Sequence, residues 1–327
     1  MDSLVKGIRV EQVGGPEVMK IASLGPLVPG PGQALVALEA AGVNPVDTYI
    51  RAGTYTIDPA LPYTPGLEGA GTVLEIGDGV SHISAGQRIY IGARPLTGTY
   101  AEQCLCSAQD LLPLPDALST EEGAALFITY ATAYRALVQL GRAKPGQRVL
   151  IRGASGGVGT AAAQWARWLG LDAVGTAGTT KGAELVRQQG LQTVLDHHAP
   201  DFDAQAMAAT GEQGYDIILE MAAHLNLDSD LDLVARGGSV MVVGNRGELT
   251  INPRKMMGKE SVVRGVMLFA MGAAERLEFA AAVEASARAG VLRPVIGRRF
   301  VLKDAPQAHR AVMEPGAYGK IVLTTGG

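Results

Sequence analysis

The sequence predicts an α/β chain in two parts: a small β-rich, barrel-like unit, then a doubly wound parallel sheet with helices on both faces. Three observations carry this. At 327 residues the chain exceeds what one ordinary core organises. Up to about residue 114 it reads as short apolar runs punctuated by Gly and Pro, the pattern of short strands and tight turns. Beyond Pro115 strand and helix patterns alternate, the order that builds a parallel sheet.

In chain order, the strand-rich part begins at Leu4, with strands predicted over residues 33–43, 71–76, 87–91 and 99–106. Pro29-Gly30-Pro31-Gly32, Gly77-Asp78-Gly79 and Gly92 separate them. Ser119 then opens a helix, with Glu122 three residues on to complete a capping box, and the helical pattern continues to Leu140. Strands follow at 148–151, 172–176, 193–195, 216–219 and 239–243. Helices lie between them at 157–169, 181–189, near 202–209 and near 225–234. A strand near 262–268, a helix over 273–289 and residues 299–323 close the fold. No internal repeat and no low-complexity linker is visible.

Composition narrows the function classes. With 47% hydrophobic and 18% charged residues the chain is a folded protein, not a disordered one. A net charge of −4 and 5% aromatics speak against nucleic acid as the main partner. No run of about 18 apolar residues occurs, so no membrane-spanning helix is expected. The start, MDSLVKGIRVEQVGG, lacks the apolar centre of a signal peptide. Cys104 and Cys106 alternate on a predicted strand, too close for a disulfide between them. They read as small apolar fillers in a reducing, cytoplasmic compartment.

The chemistry centres on "VLIRGASGGVGTAAAQWARWLG", residues 149–170. An apolar strand enters a glycine cluster and a small-residue helix leaves it. The first amides of a helix lack intrahelical partners and its dipole favours an anion, so this turn suits the pyrophosphate of a dinucleotide. The spacing is Ala154-x-Gly156-x-x-Gly159, with Ala in place of the first Gly of the usual fingerprint. The duller alternative is a tight packing turn. NAD sites carry an acid on the next strand, about 20 residues on, for the ribose hydroxyls. Here the stretch reads Val174-Gly175-Thr176-Ala177-Gly178-Thr179-Thr180-Lys181, without an acid. Room at Gly178 and a charge at Lys181 suit a 2′-phosphate, hence NADPH over NADH. Lys181 as a solvated helix-start lysine remains the alternative.

No metal site is expected. A catalytic zinc takes three protein ligands, and the five histidines, His82, His197, His198, His224 and His309, form no spaced cluster with the cysteines. No nucleophile elbow is visible. What remains is reduction of an acceptor needing little activation, such as a quinone or an α,β-unsaturated carbonyl.

Several stretches together resemble one family. They are "AAGVNPVDTYIRAGTY", "LPYTPGLEGAGTV", "TAYRAL", "RGASGGVGTAAAQWAR", "VGTAGT", "VVGNRGELTINPR" and "RPVIG". On them the chain resembles, over nearly its whole length, the zinc-free quinone oxidoreductases of the zeta-crystallin type in the medium-chain dehydrogenase/reductase superfamily. The resemblance implies a GroES-like β-barrel catalytic domain over 1–125. A Rossmann NADPH-binding domain over 126–268 follows, and 269–327 returns to the catalytic domain. Zinc-dependent relatives carry a ligand Cys near Asn44 and a His near Leu67, and neither is a ligand here.

Residue by residue, the resemblance implies cofactor contacts at Tyr49, Thr132, Ser155, Gly156, Gly157, Val158, Gly178, Lys181, His197, Asn226, Val243, Gly244, Asn245, Arg246, Val266, Met267 and Leu268. Tyr49 and Asn44 are its candidate catalytic residues, and Tyr55 is a weaker cleft candidate than Tyr49. Duller roles stay open for some: Tyr49 as a half-buried barrel tyrosine, Asn226 as a helix cap, His197 as a loop residue exchangeable with His198, Arg246 as part of a charge patch. The expected activity is NADPH:quinone reduction in a homodimer or homotetramer, with the nicotinamide facing the cleft between domains. The rivals are an enoyl or alkenal reductase and an NADPH-modulated protein binding single-stranded RNA.

Overall fold

The computed structural model describes residues 5–316 and 318–326; Leu4, where the strand-rich reading begins, lies outside them. The chain divides into two compact units, one of residues 1–128, 280–288 and 293–327 and one of residues 129–279 and 289–292. The sequence reading puts the boundaries at 125/126 and 268/269.

In the first unit, β1 (Val5–Val10) and β2 (Met19–Leu24) pair antiparallel. The other strands are β3 (Gln33–Val43), β4 (Gly69–Ile76), β5 (Arg88–Ile91), β6 (Gln103–Ser107) and β7 (Leu111–Pro113). β3 is long enough to serve two partners along one edge. Its residues Gln33–Ala37 pair with β6, while Ala40–Val43 pair with the last strand of the chain. Cys104 and Cys106 are buried beside Val36, Val73 and Ile89, with their sulfurs 3.6 Å apart as free thiols. They fill an apolar core, as their alternation predicts.

One helix of this unit escapes the strand-rich reading: α1 (Pro45–Ala52). Its signals are local and present. Asn44 is the N-cap, Pro45 stands at the first helical position, Asp47 at the third, and Gly53 ends it at φ 71. The strand expected over 99–106 begins only at Gln103. Gly98 packs against the carbonyls of Thr64 and Pro65, which turns the chain there.

After Ser119, whose hydroxyl and Glu122 form the predicted capping box, residues 120–140 form an irregular helical run. It contains two wide π-type stretches, Leu126–Ala131 and Arg135–Leu140. In the second unit β8 (Arg148–Ile151), β9 (Asp172–Thr176), β10 (Thr193–Leu195), β11 (Tyr215–Glu220), β12 (Val234–Val242) and β13 (Val262–Gly265) form one parallel sheet, in the order β10-β9-β8-β11-β12-β13. The order reverses direction at β8, the strand that leads into the glycine cluster. Val149, Leu150 and Ile151 are fully buried, as a strand covered on both faces requires. The helices are α2 (Gly157–Leu169), α3 (Thr180–Gln188), α4 (Phe202–Ala208), α5 (Ala223–Leu233), α6 (Pro253–Lys259) and the first half of α7 (Ala273–Arg288), whose residues 280–288 belong to the first unit. α2 lays Ala161, Ala162 and Trp165 into the core, with the indole N–H donating to the Tyr130 carbonyl at 3.0 Å. The strand expected to reach residue 268 stops at Gly265, because β12 ends at Val242 and offers one more bond, from the Val266 amide.

The chain then supplies β14 (Ile296–Val301), α8 (Ala305–Ala311) and β15 (Lys320–Thr324) to the first unit. The seven-stranded sheet runs β14-β15-β3-β4-β5-β7, with β6 on β3. Ala305, Ala308, Ile321 and Leu323 pack with Ile8, Val10, Val43 and Tyr100 in its second core.

Candidate functional site

Within the parallel-sheet unit, the predicted residues gather at the carboxyl ends of the strands. β8 ends at Ile151, and α2 starts after Gly156, which caps it in extended conformation without a side-chain bond. The Gly156 amide turns back to the Gly153 carbonyl at 3.1 Å, and the half-buried amides of Ser155, Gly157 and Val158 at the uncapped helix start suit an outside acceptor. Gly159 decides how closely the helix start approaches this turn. A Cβ there would lie 2.5 Å from the Ala154 Cα and closer still to the Gly153 carbonyl oxygen. The turn is tied to β9: the Gly153 amide donates to Thr176 Oγ1 at 3.0 Å, and the Ala154 amide to the Thr176 carbonyl at 2.8 Å.

At the end of β9, Thr179 caps α3 through the Gly182 amide at 3.0 Å, and Lys181 is exposed in the first turn. Two histidines lie over Gly178. A Cβ on it would fall 2.5 Å from His198 Nε2 and 2.7 Å from His197 Nε2, and the two rings stand edge to face 4.4 Å apart. Desolvation, and then His198, pull the His197 imidazole below its ordinary pKa. Residues 177–181 carry no acid.

The loops after β11 and β12 converge on Glu220, which the sequence reading missed. Its carbonyl accepts from the amides of Val243 and Gly244, at 2.8 and 3.2 Å. Its carboxylate accepts from the Ala222 amide and from Asn226 Nδ2 at 3.2 Å. Asn226 is the fourth residue of α5, not its cap, and reaches back to this acid. Arg152 pairs with Asp230 at 2.8 Å and with Glu220 at 3.8 Å. Burial holds Asp230 well above the carboxylate range against the pull of Arg152, with Glu220 adding to the rise. Asn245 and Arg246 are exposed, the Arg246 amide bonding His224 Nδ1 at 3.2 Å. Val266 is half-buried, Met267 exposed and Leu268 buried; Thr132 is buried in the helical run.

In the first unit Asn44 begins a buried polar cluster. Its amide nitrogen donates to Glu68 at 2.9 Å and to Asp47 Oδ2 at 3.3 Å, while its oxygen accepts from Lys320 Nζ. Lys320 also forms an ion pair with Glu68, and both are nearly inaccessible. Glu68 binds the Ile128 amide with its other oxygen at 2.6 Å. Tyr49 is half-buried on α1, its carbonyl taken by the Thr54 amide at 2.9 Å, and Leu67 is buried next to Glu68.

From Asp47 a directional chain runs inward. Arg51 only donates, so His309 Nδ1, 3.1 Å away, accepts. His309 is then neutral with its proton on Nε2, donating to the Tyr100 hydroxyl at 3.0 Å, which donates to Asp47 Oδ2 at 3.5 Å. Burial and then Arg51 push the His309 pKa down to about 3, in keeping with a neutral ring. Beside Asp47 lies a cavity of about 90 Å³, walled by Ile50, Ile57, Leu67 and Leu96, with Tyr63 and Arg94 as further polar groups. The Tyr63 hydroxyl is buried without a hydrogen-bond partner. Asp47, Glu68 and Lys320 were not singled out by the sequence; an acid three residues after an N-cap was the one available signal.

Among the described residues, no three His, Cys, Asp or Glu side chains come together as a metal site, and no helix is long and apolar enough to cross a membrane. Residues 157–288 match the family model described as zinc-binding dehydrogenase, and residues 30–116 the alcohol dehydrogenase GroES-like domain. The chain is 44% identical over 322 residues to a quinone oxidoreductase of Homo sapiens, covering 98% of each. It is 45% identical over 323 residues to that of Rattus norvegicus, again covering 98% of each. Of solved structures, the Escherichia coli quinone oxidoreductase complexed with NADPH superposes with a TM-score of 0.90 at 30% identity, over 98% of this chain and all of that one. The Pseudomonas syringae quinone oxidoreductase matches equally, at 0.90 and 30%.

Proposed function

The chain belongs to the quinone oxidoreductases of the zeta-crystallin type within the medium-chain dehydrogenase/reductase superfamily, and from that membership we propose that it is an NADPH-dependent quinone reductase. The observation that carries this is the full-length likeness to quinone oxidoreductases at 44% identity. The residues present fit the cofactor. The glycine turn leaves no space for a Cβ at Gly159 or at Gly244, which would meet the Met221 carbonyl carbon at 3.0 Å. Both glycines let their loops pack on neighbouring backbone, and the start of α2 drawn in by Gly159 has no side-chain cap, which leaves room for an anion on its first turn.

NADPH, when bound, supplies the hydride equivalent that reduces the acceptor. In our reading the backbone of Ser155, Gly156, Gly157 and Val158 holds its pyrophosphate, with the Gly156 amide tying the turn to Gly153. Gly178, Lys181 and His197, with His198 beside it, take the 2′-phosphate. Glu220 braces Asn226, Val243 and Gly244, and with them the loop through Asn245 and Arg246. Val266, Met267 and Leu268 follow on from β13. Tyr49 and Thr132 are assigned to the nicotinamide side. Asn44, whose amide is engaged at both ends, positions Glu68 and Lys320 and does not itself meet substrate. Residues 1–125 serve as the catalytic domain, 126–268 bind the cofactor and 269–327 complete the former.

We further propose a homo-oligomer joined through β13. It is the outer strand of its sheet, and Val262 is 49% exposed on it. The free thiols Cys104 and Cys106 suit the cytoplasm. The test of function is oxidation of NADPH and NADH against ortho- and para-quinones and 2-alkenals. Quinone turnover with NADPH preferred is expected. Alkenal turnover without quinone turnover would transfer the protein to the alkenal reductases.

A further inference from the structure

A reduced conjugated carbonyl must gain a proton as well as a hydride, and a carboxyl is a stronger donor for it than the Tyr49 phenol. The cavity in the first unit carries the means. Ile50, Ile57, Leu67 and Leu96 form its apolar side, and its polar side chains are Asp47, Tyr63, Thr64 and Arg94. Of these Asp47 is 3% exposed and receives three donors, the Asn44 amide at 2.8 Å, Asn44 Nδ2 and the Tyr100 hydroxyl, all on one oxygen, Oδ2. Behind Tyr100 stand His309 and then Arg51, in a line whose polarity is set throughout by the arginine.

Resting on the quinone-reductase reading, we propose that this cavity is a proton-delivery site, in which Asp47 is the acid that protonates the oxygen of the reduced acceptor. The O–H bond of the Asp47 carboxyl breaks, its electron pair stays on the carboxylate, and a new O–H bond forms on the acceptor oxyanion. The two electrons that reduced the acceptor come from NADPH, which leaves as NADP⁺. Asp47 recovers its proton from solvent. Tyr63, with its buried hydroxyl facing no partner, orients the acceptor. Tyr100 is a positioning residue: its hydroxyl, held by His309, stabilises the carboxylate that the transfer leaves behind.

The electrostatics around Asp47 support the assignment. Burial drives its carboxyl up to about 7, Lys320 and the Asn44 amide oppose the rise, and Glu68 adds to it. Tyr63 and Tyr100 stay neutral, Tyr63 pushed up to about 12 and Tyr100 well above its ordinary value, both mainly by burial. His309 is neutral and Arg51 charged. An acid poised near neutral pH is suited to proton donation.

The test uses the full chain with NADPH and a para-quinone. Because the protonated form is the active one, kcat falls as pH rises through about 7. A solvent deuterium isotope effect accompanies it. Asp47→Asn abolishes both and lowers kcat by about 10²-fold, while NADPH binding by fluorescence titration stays as in the parent. Asp47→Glu restores the pH limb. A folded, NADPH-binding Asp47→Asn that keeps the parent's pH profile and isotope effect overturns the proposal and leaves the quinone-reductase reading standing. Should Asp47→Asn not fold, Tyr100→Phe decides. Removing a donor from the carboxylate raises its pKa, so the falling limb moves to higher pH; an unmoved limb overturns the proposal. No quinone turnover by the parent overturns the reading beneath it.

Discussion

Lys320 is the residue on which the first unit's polar interior turns. Its ammonium is 3% exposed, paired with Glu68 and bonded to Asn44, and it moderates Asp47. A buried pair adds little over an apolar replacement of both partners, but breaking it leaves a charge without compensation. Lys320→Met is therefore expected to destabilise the protein by about 3–5 kcal/mol in denaturant unfolding. Adding Glu68→Gln to that variant recovers part of the loss. A loss below about 1 kcal/mol, the range of an exposed pair, would contradict this account. Asn44 and Asp47 were legible as a cap and its reciprocal acid. Glu68 and Lys320 were not, because they lie 24 and 276 positions from Asn44 and nothing local marks either as its partner.

Among the elements, α2 has the most constrained placement. Its first turn rests on the Gly153–Ala154 backbone, and only a residue without a Cβ at 159 permits that approach. Gly159→Ala must push the helix start off the turn, and NADPH affinity is expected to fall by at least about tenfold in calorimetric titration, a displacement worth roughly 1.4 kcal/mol. Gly258→Ala is the control. Gly258 sits in α6 with open space around its would-be Cβ, and alanine favours a helix, so binding is unchanged and stability rises slightly. Unaltered binding in Gly159→Ala would show that the turn is a packing device only. The strand–glycine–helix order of residues 148–169 was readable because each part is signalled within a few positions. α1 was equally signalled by Asn44, Pro45 and Gly53, yet it lies amid strands whose Gly–Pro punctuation looks the same.

For the molecule as a whole, the parallel sheet ends at β13, whose outer edge no strand among the described residues pairs. If copies of the chain join there, Val262→Lys should yield a smaller species in sedimentation velocity while each chain keeps its NADPH affinity; an unchanged sedimentation coefficient would place any interface elsewhere. The sequence by itself determined the two architectures, the glycine turn and the absence of an acid at the end of β9, because strand alternation, helix caps and turn glycines act over short stretches of chain. Tertiary structure alone decided that Glu220 gathers the loops after β11 and β12, and that Asn44, Glu68, Lys320 and the Asp47–Tyr100–His309–Arg51 line share one interior. Burial makes those charges and hydrogen bonds interdependent, and burial depends on which distant segments the fold sets side by side.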